Sequence, residues 1–283
     1  EMLRSLVGSE MCIRDSPIGV QTFEKIRKDN CLYIDKTQYI RQMMEDNLYY
    51  VFLARPRRFG KSLFTSTLEA YFEGKKELFE GLEISKWEKE WKKYPVIHLD
   101  MSTAKSLNEQ ELGYELNKKL TIYERIYGRD EIDIDYKQRL EGLITRAYEQ
   151  TGKEVVVLID EYDAPLLKTA HDSNGLNSIR NIMRNFYSPL KSCDKYLKFV
   201  YITGITKFSQ LSIFSELNNL NNISMDEKYA AICGITQEEL ETQMSEHIDF
   251  FAKSKNESRE SIIEKLKHNY DGYHFTWPSA DIY

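Results

Sequence analysis

The run Val155-Val156-Val157-Leu158-Ile159, closed by Asp160-Glu161-Tyr162-Asp163, constrains the fold more than any other feature of this chain. It has no polar face, so a strand made from it must be covered on both sides, as at the centre of a parallel sheet. Three further short runs share this character: Tyr49–Ala54, Val96–Met101 entered through Pro95, and Leu197–Gly204. All are too short for buried helices and rich in branched or aromatic residues, which predicts strands. Between them the apolar positions step by three and four. The sets are Leu63, Phe64, Leu68, Tyr71 and Phe72; then Leu112, Leu116, Leu120, Tyr123 and Tyr127; then Tyr136, Leu140, Leu143, Ala147 and Tyr148; and a longer face from Ile179 through Ile182, Met183, Phe186 and Tyr187 to Leu190. Each set covers one side of a helix. Strands alternating with helices predict an α/β fold with a mainly parallel sheet, helices on both faces, and a ligand site at the carboxyl ends of the strands. Beyond Asn221 the pattern turns helical and charged. The expected division is therefore an α/β core over residues 17–223 and a small helical subdomain over 224–283.

Composition narrows the function. Hydrophobic residues make up 41% of the 283 and charged residues 30%, enough apolar side chains for a substantial core. No apolar run approaches the roughly 18 residues that span a bilayer, so the expected setting is cytoplasmic and away from membranes. Thirty-nine Lys and Arg against 45 Asp and Glu leave a net charge of −6, which gives no general attraction to nucleic acid. Cys12, Cys31, Cys193 and Cys233 form no CxxC pair and read as reduced thiols. The five histidines, His98, His171, His247, His268 and His274, are equally dispersed and read as structural. Residues 1–16 lack any periodic face or signal-peptide order and resemble a translated sequencing-adapter tail. The chain ends on the apolar and aromatic Trp277–Tyr283 stretch, which predicts that the natural protein continues and that the helical subdomain is truncated.

Chemistry concentrates at two strand ends. The first predicted strand runs into Arg55-Pro56-Arg57-Arg58-Phe59-Gly60-Lys61-Ser62, which carries the second half of the GxxxxGK[ST] phosphate-binding pattern between a strand and a helix. Arg55 stands where the first glycine would be. Gly60 lets the backbone turn its N–H groups toward phosphate, and the helix beginning near Lys61 offers its positive end. Residues Arg57 to Leu63 are thus the expected nucleotide contacts, with Lys61 across the β- and γ-phosphates and Ser62 Oγ on Mg²⁺. A basic turn before an ordinary helix is the alternative for this segment alone.

The second end is Asp160-Glu161. A magnesium triphosphate needs a carboxylate at a strand end, and the adjacent acids can divide the work. Asp160 would hold the metal through water while Glu161 polarises the attacking water as general base. A strand ending in Asp-Glu can equally be a helix cap or solvated loop. The interval between Lys61 and Asp160 has room for the Val96 strand, as in P-loop ATPases with an inserted central strand. Thr203 and Thr206, after the fourth strand, are alternatives for a polar group between metal and γ-phosphate. Arg57, Arg58, Arg180 and Arg184 are candidates to offset transition-state charge, the last two also fitting a solvated helix face.

The P-loop segment, Tyr33-Ile34-Asp35-Lys36-Thr37 before it, and Leu158–Asp163, Thr203–Ser209 and Asn218-Asn219-Leu220 after it strongly resemble the AAA-ATPase-like family of bacterial proteins. The likeness runs from Pro17 to Tyr283, and Tyr270–Phe275 resembles the block near the end of the family's ATPase part. The first P-loop glycine is commonly replaced in that family, so Arg55 agrees with its pattern. The resemblance implies ATP rather than GTP as ligand and Mg²⁺ as cofactor. It places Tyr33–Thr37 either near the base or in a packed turn, and it allows a homo-oligomer. It also implies that this ATPase module can precede a PD-(D/E)XK nuclease-like domain, whose residues are not present here.

Two functions fit. One is a Mg²⁺-dependent ATPase, with Glu161, Lys61 and Thr203 catalytic, whose hydrolysis drives a conformational switch in a larger protein. The other is a nucleotide-binding regulatory module with little hydrolysis of its own, controlling a nuclease-like domain or partner. A third reading, a nucleic-acid phosphate patch made of Arg55, Arg57, Arg58 and Lys61, is disfavoured by the acidic charge.

Overall fold

The computed structural model describes residues 17, 19–104, 108–167, 173–205, 219–270, 273, 275–276 and 282. Strands β1 (Tyr50–Ala54), β2 (Val96–Asp100), β3 (Val155–Asp160), β4 (Leu197–Gly204) and β5 (Asn221–Asn222) hydrogen-bond in the order β2-β3-β4-β1-β5. Every neighbouring pair is parallel. The strand that separates β1 from β3 in space is therefore β4, while the Val96 strand, β2, takes the outer edge beyond β3. All six residues of β3 are buried, as its unbroken apolar run requires.

The two-residue period of a strand divides the core into two layers. Phe52, Ile97, Val157, Ile159, Val200 and Ile202 point into one, shared with α4 (Glu109–Tyr127), α5 (Tyr136–Thr151) and α7 (Ser173–Tyr187). Val51, Leu53, Val156, Leu158, Phe199 and Tyr201 point into the other, with α1 (Phe23–Lys28), α2 (Gln38–Glu45) and α3 (Lys61–Phe72). Helices thus cover both faces. Local chemistry sets their limits: Asn108 accepts from the Glu111 N–H at 2.9 Å to start α4, and Asp135 with Gln138 forms a capping box for α5.

The helix expected to reach Leu190 instead ends at Tyr187. Pro189, with no N–H to continue the ladder, opens a separate short helix, α8 (Pro189–Ser192), after α6 (Ala164–Leu167) and α7. Past β5, Ile223, Tyr229, Ile232 and Cys233 still pack into the α3 layer. Helices α9 (Gln237–Thr242), α10 (Ser245–Lys255) and α11 (Arg259–Tyr270) gather their own small cluster around Leu240, Ile248, Ala252 and Ile262. No helix among the described residues is long and apolar enough to cross a membrane.

Candidate functional site

Because the sheet is parallel, β1, β3 and β4 finish at one edge, and their register fixes what meets there. Leu53 pairs with Thr203, Ala54 with Gly204, and Ile159 with Ile202, so Asp160 and Thr203 end level on adjacent strands. The Thr203 hydroxyl donates to Asp160 Oδ1 at 2.8 Å, and the Glu161 N–H donates to the same oxygen at 3.0 Å. Asp160 is 3% exposed, and its Oδ2 accepts no hydrogen bond among the described residues. One carboxylate oxygen is thus locked while the other stays open to a ligand.

The P-loop leaves the neighbouring strand. Gly60 adopts φ 88° in open space, a left-handed turn that places Lys61 at the first position of α3. The Lys61 side chain is buried and its Nζ donates to Pro56 O at 2.8 Å, so the loop folds around its own lysine. Burial pushes the Lys61 pKa down, against the upward pull of neighbouring acidic groups that include Asp160, Glu161 and Asp163. The acids at the end of β3 therefore act on the P-loop cation across the edge.

Six non-glycine residues among those described have positive φ: three are asparagines and one is Trp91, but Arg58 (67°) and Glu161 (52°) both lie at this edge. Left-handed backbone is costly for such side chains and concentrates where geometry serves a site. Glu161 is half-buried beside Asp160, and Arg57 and Arg58 are exposed on the loop with no hydrogen bond or ion pair among the described residues. Ser62, half-buried in the first turn of α3, faces no hydrogen-bond partner there either, while Leu63 packs partly into the core. Phe59 meets Tyr273 and Phe275 edge-on at centroid distances of 4.6 and 5.7 Å.

Arg180 and Arg184 lie half-buried on α7, with Arg180 bonded to Asn177 Oδ1 at 2.9 Å. Thr206, the alternative to Thr203, and most of the Thr203–Ser209 block lie outside the described residues, as does His171. The phosphate-patch reading fails at Arg55. Its side chain is 1% exposed, and the guanidinium donates to the backbone carbonyls of Ala54, Ser224, Tyr229 and Ala230.

Tyr33–Thr37 is a packed turn. Asp35 Oδ1 accepts from the Thr37 N–H and hydroxyl, and its Oδ2 accepts from the Glu83 N–H at 2.7 Å. Sequence reasoning gave no role to Asp163, a fully buried acid whose Oδ2 accepts from the Ile205 N–H at 3.0 Å. It ties the loop after β3 to the exit of β4. Its signal was present as the third acid of Asp160-Glu161-Tyr162-Asp163, but nothing local showed what it would hold.

Among the described residues no group of three or more His, Cys, Asp and Glu side chains is arranged to hold a metal ion. A magnesium site of the phosphate-bound kind needs fewer: one or two protein oxygens, the rest from phosphate and water. Ser62 Oγ and the open Oδ2 of Asp160 fit that demand.

The chain is 36% identical over 263 residues to a protein of Azotobacter chroococcum mcd 1 described as an uncharacterized protein in the vnfD 5' region. The match covers 92% of this chain and 48% of that protein, so the chain spans about half the length of its relative. The model of the AAA-ATPase-like family, described as predicted AAA-ATPase, matches residues 17–214, and the chain belongs to that family.

Proposed function

We propose that the chain binds Mg-ATP at the carboxyl edge of the sheet and hydrolyses it, and that turnover drives a conformational switch in a larger protein. The observation that supports this reading is that Lys61, at the start of α3 after β1, and the interlocked Asp160–Thr203 pair at the ends of β3 and β4 share one edge of the sheet. In this reading the Lys61 ammonium leaves Pro56 O to neutralise β- and γ-phosphate oxygens, joined by N–H groups of residues 57–63. Glu161 accepts the proton of the attacking water, and Thr203 keeps the Asp160 carboxylate turned toward the phosphates. Mg²⁺, held by Ser62 and through water by Asp160, would supply charge neutralisation across the phosphates. Residues 224–283 form the helical subdomain that responds. A following nuclease-like domain and assembly into homo-oligomers complete the proposal for the longer protein.

Phosphate release from Mg-ATP by this chain, beside Glu161→Gln, tests the reading. The expected outcome is turnover that falls roughly 100-fold or more in the variant while nucleotide binding persists. Binding with equal background release in both proteins would instead support the regulatory module. Absence of binding would sink the nucleotide site.

A further inference from the structure

Arg55 begins the P-loop, yet its charge points into the protein. Nη1 donates to Ser224 O at 2.7 Å and Ala54 O at 3.0 Å, and Nη2 to Tyr229 O at 3.1 Å and Ala230 O at 3.4 Å. The Phe275 ring lies 4.0 Å from the guanidinium carbon, and no carboxylate of the described residues is among its hydrogen-bond partners. A buried cation without a counter-ion is tolerated only where several dipoles are aimed at it. Here three of the four carbonyls belong to residues 224–230 and the fourth to Ala54, so the guanidinium holds that segment against the end of β1.

Two more bonds join residues 224–234 to the end of β1 and to the loop: the Ala54 N–H donates to Ser224 Oγ at 2.8 Å, and the Gly234 N–H to Phe59 O at 2.9 Å. On its other side the Arg55 N–H donates to Gly204 O at 3.1 Å, next to Thr203. The backbone of one residue is thereby bonded to the β4 exit, and its side chain to the lead-in of α9.

We propose that Arg55 is a positioning residue that carries occupancy of the P-loop to residues 224–234, through the fork of bonds it makes to their carbonyls. The proposal rests on the nucleotide-site reading above and adds the route by which the helical part senses it. Phosphate arriving at the loop draws Lys61 off Pro56 O, and the loop backbone adjusts. Arg55 sits in the dry interior, where water cannot replace a broken bond, so its carbonyl partners move or stiffen with it. A lysine keeps the charge but lacks the planar fork that spans separate carbonyls.

The test follows hydrogen exchange of amides 224–234 in the full chain, with and without Mg-ATP at concentrations saturating each protein. The Ile232 N–H, which donates to the Tyr229 carbonyl that Arg55 Nη2 also holds, is the direct reporter, while the Gly234 N–H, bonded to Phe59 O, reports the loop itself. In the unaltered protein nucleotide is expected to slow these amides about tenfold, and in Arg55→Lys less than about threefold. Phe275→Leu keeps the Arg55 fork but removes the ring beneath the guanidinium, together with its edge-on contact to Phe59 of the loop; it is expected to fall between them and guards against a folding defect in the first variant. Full slowing retained in Arg55→Lys with normal thermal unfolding overturns the proposal. So does an unaltered protein that binds Mg-ATP with no change at 224–234. If the unaltered protein binds no nucleotide, the site reading itself fails and the coupling falls with it.

Discussion

Gly204 shows how closely the carboxyl edge of the sheet is built. A Cβ there would stand 2.4 and 2.5 Å from ring carbons of Tyr162 and 2.8 Å from Asp163 Oδ1. The Tyr162 ring is fully buried and packs edge-on against Phe52 at 5.5 Å, so it has no room to withdraw. Gly204→Ala is therefore expected to destabilise the fold by about 1–3 kcal/mol, measured by denaturant unfolding. It should also separate Thr203 from Asp160 and lower any nucleotide turnover. An unchanged denaturation midpoint would mean that the β3 and β4 exits are looser than their contacts imply. That Gly60 and Lys61 follow β1 and that Asp160 and Glu161 stand at the end of β3 was readable from sequence because the apolar runs before them mark the strands. The inward turn of Arg55 was not: the string Arg-Pro-Arg-Arg gives three equivalent cations, and only the carbonyls of residues 224–230, far along the chain, distinguish the first.

Strands and helices were legible to the degree that their side chains carry a pattern. β3 and β4 declare themselves by continuous apolar runs, and α4 and α5 by their three-and-four spacing. β5 does not, since its two residues, Asn221 and Asn222, are exposed and become a strand only by lying beside Val51 and Phe52. Pairings between elements leave even less trace. His98 of β2 reaches Glu69 of α3 at 3.0 Å, and the Tyr123 hydroxyl of α4 bridges the His98 backbone, accepting from its N–H and donating to its carbonyl. Burial disfavours the charged imidazole, but the Glu69 hydrogen bond and charge outweigh it and hold the His98 pKa above its ordinary 6.5. A raised folded pKa adds stability that is complete below the unfolded value and is lost as pH rises through the folded one. The stability difference between the unaltered protein and Glu69→Gln should accordingly be larger near about pH 6 than near about pH 9, since histidine titrates between them. Urea titrations at both pH values measure it, and a difference independent of pH would remove the ion pair from the account.

How the α/β layers hold the helical part depends on a contact no local pattern announces. Lys36 Nζ, from the turn before α2, bonds both carboxylate oxygens of Glu239 on α9 at 2.6 Å and Ala231 O at 2.8 Å. The pair's side chains are 8% and 12% exposed. Glu239 also closes the α9 capping box, accepting from the Thr236 N–H at 2.9 Å, so one carboxylate both starts the helix and anchors it. The Tyr33–Thr37 block was recognisable as a unit, but its partner lies some two hundred residues on, and sequence spacing alone cannot join them. Lys36→Met strands a buried carboxylate and is expected to cost about 3–5 kcal/mol. The loss should fall unevenly, because the apolar packing of α9–α11 among the described residues is a small cluster of their own. Amides of α9 should then exchange far faster than those of β3, and proteases should cut between β5 and α9 first. Adding Glu239→Gln removes the stranded charge while its amide oxygen still accepts from Thr236, so the double variant should recover most of the protection. Uniform loss across β3 and α9 would show instead that Lys36 supports the entire fold, and that the helical part has no separate freedom for nucleotide to control.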